Sequence, residues 1–364
     1  MKKGEATLPL HGGKAPKWLF KRMKKLARGV GLAIVRDYGP ETLLERLADP
    51  HWFQAFGCVL GFDWHSSGLT TTTCGALKEA LSEEFDRIGL YICGGKGSTS
   101  RKTPDEITRI NAFDTDHTSD LIYASRMSAK VDNTAVQDGY QLYHHNFICL
   151  EDGTWCVIQQ GMNDDTGKAR RYHWLSSSVD DFVCEPQLAV CSSSKHQRVL
   201  NMVSKDSGPA RDASADLTNN HPDKLVNELI KFELPERHQI SRADINPDRL
   251  HSTFTKAYEN QPDDFEDLLG TRGVGPKTVR ALSLLAEIIH GEPADFEDPA
   301  RYSFAHGGKD GTPYPVDRDT YDRSIQFLEE MVNRSDVEYS EKKRSLKKLA
   351  RMKQENESAS LDHE

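Results

Sequence analysis

The stretch DLLGTRGVGPKTVRALSLLAEII, residues 267–289, decides the fold expected for the C-terminal part of this chain. Gly273 and Gly275 enclose a valine, and a proline and Lys277 then open an apolar-periodic segment. Glycine permits a tight turn and a close approach of the backbone to another group. Proline favours the first position of a helix, and the N-terminus of a helix attracts anions. The stretch therefore predicts two packed helices joined by a tight glycine hairpin that can hold a phosphate group.

The spacing L-x-x-x-G-V-G-P-K-T at residues 269–278 is a strong match to the helix-hairpin-helix motif. We expect Gly273, Val274, Gly275 and Thr278 to form a nucleic-acid contact, with Val274 filling the gap between the two helices. Such a contact goes to phosphate, so it positions the nucleic acid without reading its bases. An ordinary glycine turn between packed helices is the weaker alternative.

The same segment resembles the helix-hairpin-helix DNA glycosylase superfamily. Its members carry G-V-G-x-K-T on the hairpin and, further along, a P-V-D segment whose aspartate is catalytic. The stretch YPVDRDTYD, residues 314–322, places Asp317 in the matching position. The resemblance implies that Lys277 attacks C1′ of the sugar and forms a Schiff base, as in lyase-type members. Passive binding, in which Lys277 only contacts phosphate, is the other interpretation.

The charge of the chain is distributed unevenly. Its net charge is −9, but residues 1–30 carry nine Lys and Arg against one Glu, and residues 341–353 carry seven against one. The two ends therefore hold +8 and +6, and the remaining 321 residues hold −23. Basic segments on an acidic body indicate a polyanionic partner. We expect this partner to be a nucleic acid, and DNA in view of the hairpin, with Lys21 and Lys24 of a predicted basic helix among the contacts.

The chain has the composition of a cytoplasmic protein. No apolar run is long enough to span a membrane, and lysines and arginines interrupt the apolar residues near the N-terminus, unlike those of a signal peptide. We therefore expect no membrane partner. The chain has seven cysteines, and none of them are paired in C-x-x-C spacing. An odd number without such pairs is typical of buried free thiols.

The pattern along the chain predicts an α+β protein. A mixed α/β domain with a basic N-terminal helix is followed by a polar linker, a smaller all-α helix-hairpin-helix domain and a charged flexible tail. These are assigned to residues 1–203, 204–222, 223–335 and 336–364.

Three local patterns support the first domain. YQLYHHNFICL and TWCVIQQ, separated by EDG at 151–153, predict a β-hairpin. CVLGFD at 58–63 predicts a short buried strand, and the threonines at 70–73 predict a loop that opens a helix.

The stretch DWHSSG, residues 63–68, lies at the end of this predicted strand. Asp63 and His65 alternate around a tryptophan, so on a strand both would point to one face. With His145 they could form a metal-dependent nuclease centre holding a divalent ion. A capped loop with structural roles for both side chains is the alternative.

The stretch ARRYHW, residues 169–174, mixes cations with aromatic rings. Such a mixture suits stacking on bases and contact with phosphates, which makes Arg170 and Arg171 candidate nucleic-acid contacts. A strand edge with solvated arginines is the plainer interpretation.

Five segments along the chain resemble family seven-six-three of domains of unknown function: LHGGKAPKWLFKRM, GFDWHSSG, DGYQLYHHNFI, ARRYHW and AHGGKDGTPYPVDR. The resemblance covers about residues 5–335 and implies only that both halves belong together. The sequence thus predicts a DNA-binding protein that is a processing or repair enzyme of the glycosylase or abasic-site lyase type. The alternatives are a metal-dependent nuclease and a non-enzymatic DNA-binding adaptor.

Overall fold

The computed structural model describes residues 16–62, 68–192, 196, 198–231, 247–300 and 318–361. Within these residues the helices are α1 (Lys17–Tyr38), α2 (Pro40–Ala48), α3 (Pro50–Leu60), α4 (Gly68–Leu81), α5 (Phe85–Ile88), α6 (Thr103–Thr108), α7 (Thr115–Lys130), α8 (Gly208–Thr218), α9 (Pro222–Lys231), α10 (Pro247–Asn260), α11 (Phe265–Gly270), α12 (Pro276–Leu285), α13 (Arg318–Arg334) and α14 (Tyr339–Leu361). None of the helices in this described part combines the length and the apolar character needed to cross a membrane.

The main sheet has five antiparallel strands in the order β1-β3-β4-β5-β6. They are β1 (Leu90–Lys96), β3 (Gln141–Leu150), β4 (Trp155–Asn163), β5 (Lys168–Leu175) and β6 (Ala189–Ser192). A small antiparallel pair, β2 (Val136–Gln137) with β7 (Leu200–Asn201), lies apart from it. The predicted hairpin is confirmed as β3–β4, and the α+β prediction is confirmed with it.

The sheet is buried on both faces and separates two hydrophobic cores. On β3, Phe147 and Cys149 belong to one core, which we call the first core. Ile148 and Leu150 belong to the other, the second core. Successive side chains on a strand point to opposite faces, which explains the alternation. A strand buried on both sides has no solvated face, so its sequence shows a nearly continuous apolar run.

Helices cover each face of the sheet. Residues of α6 to α12 contribute to the first core, and residues of α1 to α5, α13 and α14 contribute to the second. The described part of the molecule therefore has three layers, with the sheet in the middle. The first core runs from β1 to α12 across the predicted boundary at 204–222, and the division into domains stays a prediction.

Two predictions for residues 58–73 are wrong. CVLGFD begins inside α3, which Asp49 caps by accepting hydrogen bonds from the backbone N–H groups of His51 and Trp52 at 2.8 and 3.1 Å. The threonines lie within α4, where Thr70 and Thr73 are buried. Threonine in a helix costs only a few tenths of a kcal/mol, roughly, relative to alanine, and burial against the sheet outweighs this cost.

The segments predicted as linker and flexible tail differ from expectation. Residues 204–222 include α8, whose Ala210 and Ser214 are fully buried. Residues 336–364 include α14, whose Leu349 and Met352 pack into the second core. α8 buries seven of its eleven residues, most of them small or polar, and a mostly polar sequence does not reveal such packing.

Candidate nucleic-acid interface

The glycine hairpin joins α11 to α12. Gly273 has φ of 102°, a left-handed conformation that favours glycine, and Gly275 is extended with φ of −140° at the N-cap of α12. Val274 is 2% exposed and fills the space between the helices. Thr278 is also buried, at 4% exposure. Because this side chain is buried, it is not on the surface that the predicted contact with nucleic acid requires.

Lys130, the last residue of α7, holds the hairpin from within. Its Nζ donates hydrogen bonds to the carbonyl oxygens of Leu269, Thr271 and Val274 at 2.7, 3.3 and 2.7 Å. Burial lowers the pKa of Lys130. Three inward carbonyls fix the path of the chain from α11 to Val274, and Gly273 remains exposed on the outer side.

Gln137 ties the beginning of α12 to β2. Its Nε2 donates to the carbonyl oxygen of Pro276 at 2.8 Å, and its Oε1 accepts from Nε of Arg280 at 2.7 Å. The hairpin is therefore anchored to the segment 130–137 at both ends, which makes it a rigid element rather than a loose loop.

Cations surround the exposed side of the hairpin. Arg272, Lys277 and Lys256 are all exposed, and Nζ of Lys256 lies 3.9 Å from the position that a Cβ would take on Gly273. A cleft of about 420 Å³ borders the beginning of the hairpin, and Asp263, Glu266 and Asp267 line it together with Arg272. These carboxylates make that side unfavourable for a phosphate, so an anion would approach from the side of Lys256 and Lys277.

Asp317, the predicted catalytic partner of Lys277, lies outside the described residues. That the side chains of Lys277 and Asp317 meet in one site stays a prediction. Lys277 itself is placed at the second position of α12, exposed, where the helix N-terminus favours anions.

The structure corrects the prediction for Arg170 and Arg171, because both are buried. Arg170 is 0% exposed, and its guanidinium pairs with Asp138 at 3.0 Å and with Asp298 at 2.7 Å. Arg171 is 1% exposed on the opposite face and donates to Oε1 of Gln54 at 2.9 Å. The alternation of β5 sends the two side chains into different cores, where neither can reach a nucleic-acid backbone.

His145 also has a different role from the predicted metal ligand. In the first core its Nδ1 lies 2.8 Å from Oε1 of Gln159, and its Nε2 lies 2.9 Å from Oγ of Ser125. Burial lowers its pKa to about 4, so the ring is neutral at pH 7. Nδ1 then donates to the amide oxygen, and Nε2 accepts from the serine. Both ring nitrogens are occupied, and no lone pair is left for a metal ion.

The hydrogen-bond chain continues from Gln159 to Asp132. Oδ2 of Asp132 accepts from Nε2 of Gln159 at 2.6 Å and from Nε1 of Trp174 at 2.8 Å, and Oδ1 accepts from Nε2 of Gln187 at 2.7 Å. Burial nevertheless raises the pKa of Asp132 to about 8. Asp132 lies on the π-helical turn 131–135, directly after Lys130.

His144, the neighbour of His145 and the other histidine that could join a site, faces the second core. It is 1% exposed, and neither ring nitrogen has a hydrogen-bond partner among the described residues; the side-chain amide of Asn146, on the same face, has none there either. Burial lowers the pKa of His144 to about 3, so its ring is neutral. A neutral imidazole with an open lone pair can bind a metal ion or a polar ligand. The adjacent histidines predicted that one of them would join a site, but no pattern told which.

Asp63 and His65 lie outside the described residues. Within the residues that the structure describes, no group of three or more His, Cys, Asp or Glu side chains is arranged to hold a metal ion. The predicted divalent-metal centre therefore stays a prediction.

Lys21 and Lys24 lie on α1, in the second-core layer. Nζ of Lys24 pairs with Glu79 at 2.9 Å, whereas Lys21 is exposed and lines a groove along α1. The two basic surfaces predicted from the sequence, the hairpin and α1, therefore lie on opposite sides of the sheet.

Comparison with known proteins gives a single family. No curated protein and no solved structure matches the chain, so the glycosylase resemblance stays a prediction. A family model described as "Protein of unknown function (DUF763)" matches residues 4–316, which is most of the chain. This protein therefore belongs to the DUF763 family.

Proposed function

We propose that this protein binds DNA through the phosphate backbone and is a DNA-processing or repair enzyme. The observation that carries the proposal is the rigid glycine hairpin. Its carbonyl oxygens are turned inward to Lys130, and Gly273 and Lys277 are exposed at the start of α12. A helix N-terminus reached through glycines lets backbone N–H groups approach a phosphate closely.

The charges around the hairpin support one direction of approach. Lys256 and Lys277 are exposed near it, whereas Arg272 lines the cleft that holds Asp263, Glu266 and Asp267. Contacts to phosphate release counterions, so binding would weaken steeply with salt and would depend little on sequence.

Substitution of Gly275 tests this proposal. A Cβ at Gly275 would come no closer than 4.0 Å to the nearest atom, the carbonyl oxygen of Gly273, and the backbone there is extended. Gly275→Gln should therefore fold normally while its side chain blocks the approach of DNA. We expect duplex affinity to fall by roughly tenfold, the value of one hydrogen bond to a charged group. Fluorescence anisotropy at several salt concentrations, on unrelated sequences, measures the effect.

Gly75→Gln is the matched control, because a Cβ on Gly75 in α4 would meet no atom within 4 Å and α4 lies on the other side of the sheet. Its DNA affinity should equal that of the wild type. If both variants bind like the wild type, the hairpin is not the DNA contact.

The catalytic part of the proposal rests on Lys277. It is exposed at the start of α12, in the position that lyase-type glycosylases use for Schiff-base formation, and Asp317 occupies the position of their catalytic aspartate. A lysine amine attacks C1′ of an abasic site only when it is unprotonated.

A metal-dependent nuclease is the second candidate function. The observation in its favour is the buried, neutral imidazole of His144, whose two nitrogens have no hydrogen-bond partner in the part of the chain that the structure describes. Schiff-base chemistry needs no metal ion, so the effect of a chelator on DNA cleavage separates the two chemistries. Binding without turnover on any substrate would leave the non-enzymatic adaptor.

A further inference from the structure

A groove of about 920 Å³ follows the outer side of α1. Its other wall is the turn from α13 to α14, where the side chain of Val337 packs against Gly29. Six cations and three carboxylates line it, together with Trp18: Lys21, Arg22, Lys25, Arg28, Arg36, Arg87, Asp336, Glu338 and Glu341. The groove therefore carries an excess of positive charge on a protein whose net charge is −9.

Two of these cations remain available for a ligand. Arg22 pairs with Glu341, and Arg28 pairs with Glu84. Lys25 lies 3.8 Å from Glu338, and these two side chains are 64% and 76% exposed, so their attraction is weak. Lys21 is exposed, and no ion pair joins it to any residue in the described ranges.

Exposed aromatic rings lie beside these cations. Trp18 is 63% exposed at one end of the groove, although the other described tryptophans are buried. Tyr339, the first residue of α14, is 80% exposed and follows Glu338 of the groove wall. The guanidinium of Arg22 lies 6.0 Å from the centre of the Trp18 ring, and every nucleobase offers a π-face that can stack on an exposed ring.

The positive surface continues along α14. Lys343, Lys347 and Arg351 are exposed and four residues apart, so they form one row on the side of the helix that faces solvent. Leu349 and Met352 bury the opposite side in the second core. Within the described residues no ion pair joins these three cations to a carboxylate.

We propose that the groove between α1 and α14 binds single-stranded nucleic acid. Bases stack on Trp18 and Tyr339, and phosphates contact Lys21, Lys25 and the row on α14. A concave groove with aromatic rings and cations fits a flexible strand with unpaired bases, whereas a duplex keeps its bases stacked internally and a membrane surface is flat. The proposal takes from the proposed function only that the partner is a nucleic acid. Because the groove and the hairpin lie on opposite sides of the sheet, one protein can hold a duplex and an unpaired strand together.

Anisotropy with a short labelled oligothymidylate tests the groove in the full-length protein. We expect Trp18→Ala to weaken binding by about tenfold, the usual loss when a stacking ring is removed, and Trp18→Phe to restore most of it. Lys21→Glu with Lys25→Glu should weaken binding further and reduce its dependence on salt. All three side chains are exposed, so these variants should fold.

Lys205→Glu with Lys224→Glu is the matched control, since both lysines are exposed and lie outside the groove. It should bind the oligothymidylate like the wild type. Equal binding by wild type, Trp18→Ala and the groove charge reversal would overturn the proposal. So would Trp18-dependent binding of phosphatidylserine vesicles without Trp18-dependent binding of the oligothymidylate.

The hairpin variant keeps the two proposals separate. Gly275→Gln should weaken duplex binding and leave oligothymidylate binding unchanged. If duplex binding is absent but oligothymidylate binding depends on Trp18, the groove proposal holds and the hairpin proposal fails.

Discussion

The chemistry proposed for this protein depends on the amine of Lys277, at the start of α12. If the amine attacks C1′ of an abasic site, water leaves and an imine joins protein to sugar; borohydride then reduces the imine to a stable amine. We expect wild-type protein to be trapped on abasic-site DNA and Lys277→Gln to lose trapping but keep binding, because the glycines remain. Asp317→Asn should slow trapping, by about 100- to 10,000-fold for the loss of a general acid–base group.

Lys256→Gln is the control for this experiment, since Lys256 is another exposed lysine beside the hairpin. It should be trapped like the wild type, with or without a chelator. Trapping that persists in Lys277→Gln would assign the chemistry to another amine, and no trapping in the wild type would leave Lys277 as a phosphate contact.

Single residues show where sequence reasoning was insufficient. The hairpin glycines and Val274 were predicted from local spacing alone, because a tight turn needs these residue types next to each other. Arg170 was misjudged because its partners, Asp138 and Asp298, lie 32 and 128 positions away. A buried arginine and a solvated one look alike in sequence when the carboxylates that neutralise the charge come from distant segments.

Among the elements, α7 has the most direct influence on the hairpin. Lys130 at its end makes three hydrogen bonds to carbonyl oxygens of 269–274. Lys130→Met keeps the length of the side chain but leaves these carbonyls without their donor. We expect the free energy of unfolding to fall by about 2 kcal/mol, the range for hydrogen bonds to a charged group. Duplex affinity should fall as well, because the hairpin is no longer held in place.

Urea denaturation measures the stability, and hydrogen exchange of the amides at 272–278 measures the order of the hairpin. Lys102→Met, at an exposed position, is the control and should change neither. Unchanged exchange in Lys130→Met would mean that the hairpin keeps its shape without this cation.

Elements with clear end signals and periodicity were predicted well, and elements defined by packing were not. The β3–β4 hairpin has alternating strands around a turn, so it was found. The end of α3 was taken for the beginning of a strand, CVLGFD, because a short apolar run fits either structure. The Asp49–Pro50 pair before it was the local signal for a helix start, since aspartate caps and proline opens a helix.

In the whole molecule, the two basic ends of the chain meet. The sequence predicted that both would serve a polyanion, and the structure packs α1, α13 and α14 into one core. It also places the hairpin on the other side of the sheet. Charge counts predict the sign of a partner, but only the fold shows that α1 and the beginning of α14, which are far apart in the sequence, line one groove.

The stability of the whole molecule should depend on the ionisation of Asp132. Its pKa is about 8 in the folded protein, against an ordinary value of 3.8, because burial disfavours the carboxylate. At pH values between 3.8 and about 8, the carboxyl group of Asp132 is therefore protonated in the folded state and ionised in the unfolded state. Its contribution to stability is present at low pH and is lost as pH rises through about 8.

Asp132→Asn removes this titration. The asparagine can still accept from Trp174, and its amide can donate to Gln187 after that side chain turns. We expect the free energy of unfolding of the wild type, relative to the variant, to fall by about 2 to 3 kcal/mol between pH 6 and pH 9, at a slope of about 1.4 kcal/mol per pH unit below the folded pKa. Urea denaturation at several pH values measures the difference.

Asp116→Asn, at an exposed position on α7, should give a constant difference. If the difference for Asp132→Asn is also constant, Asp132 is ionised in the folded protein throughout, and the three hydrogen bonds from Gln159, Trp174 and Gln187 outweigh its burial.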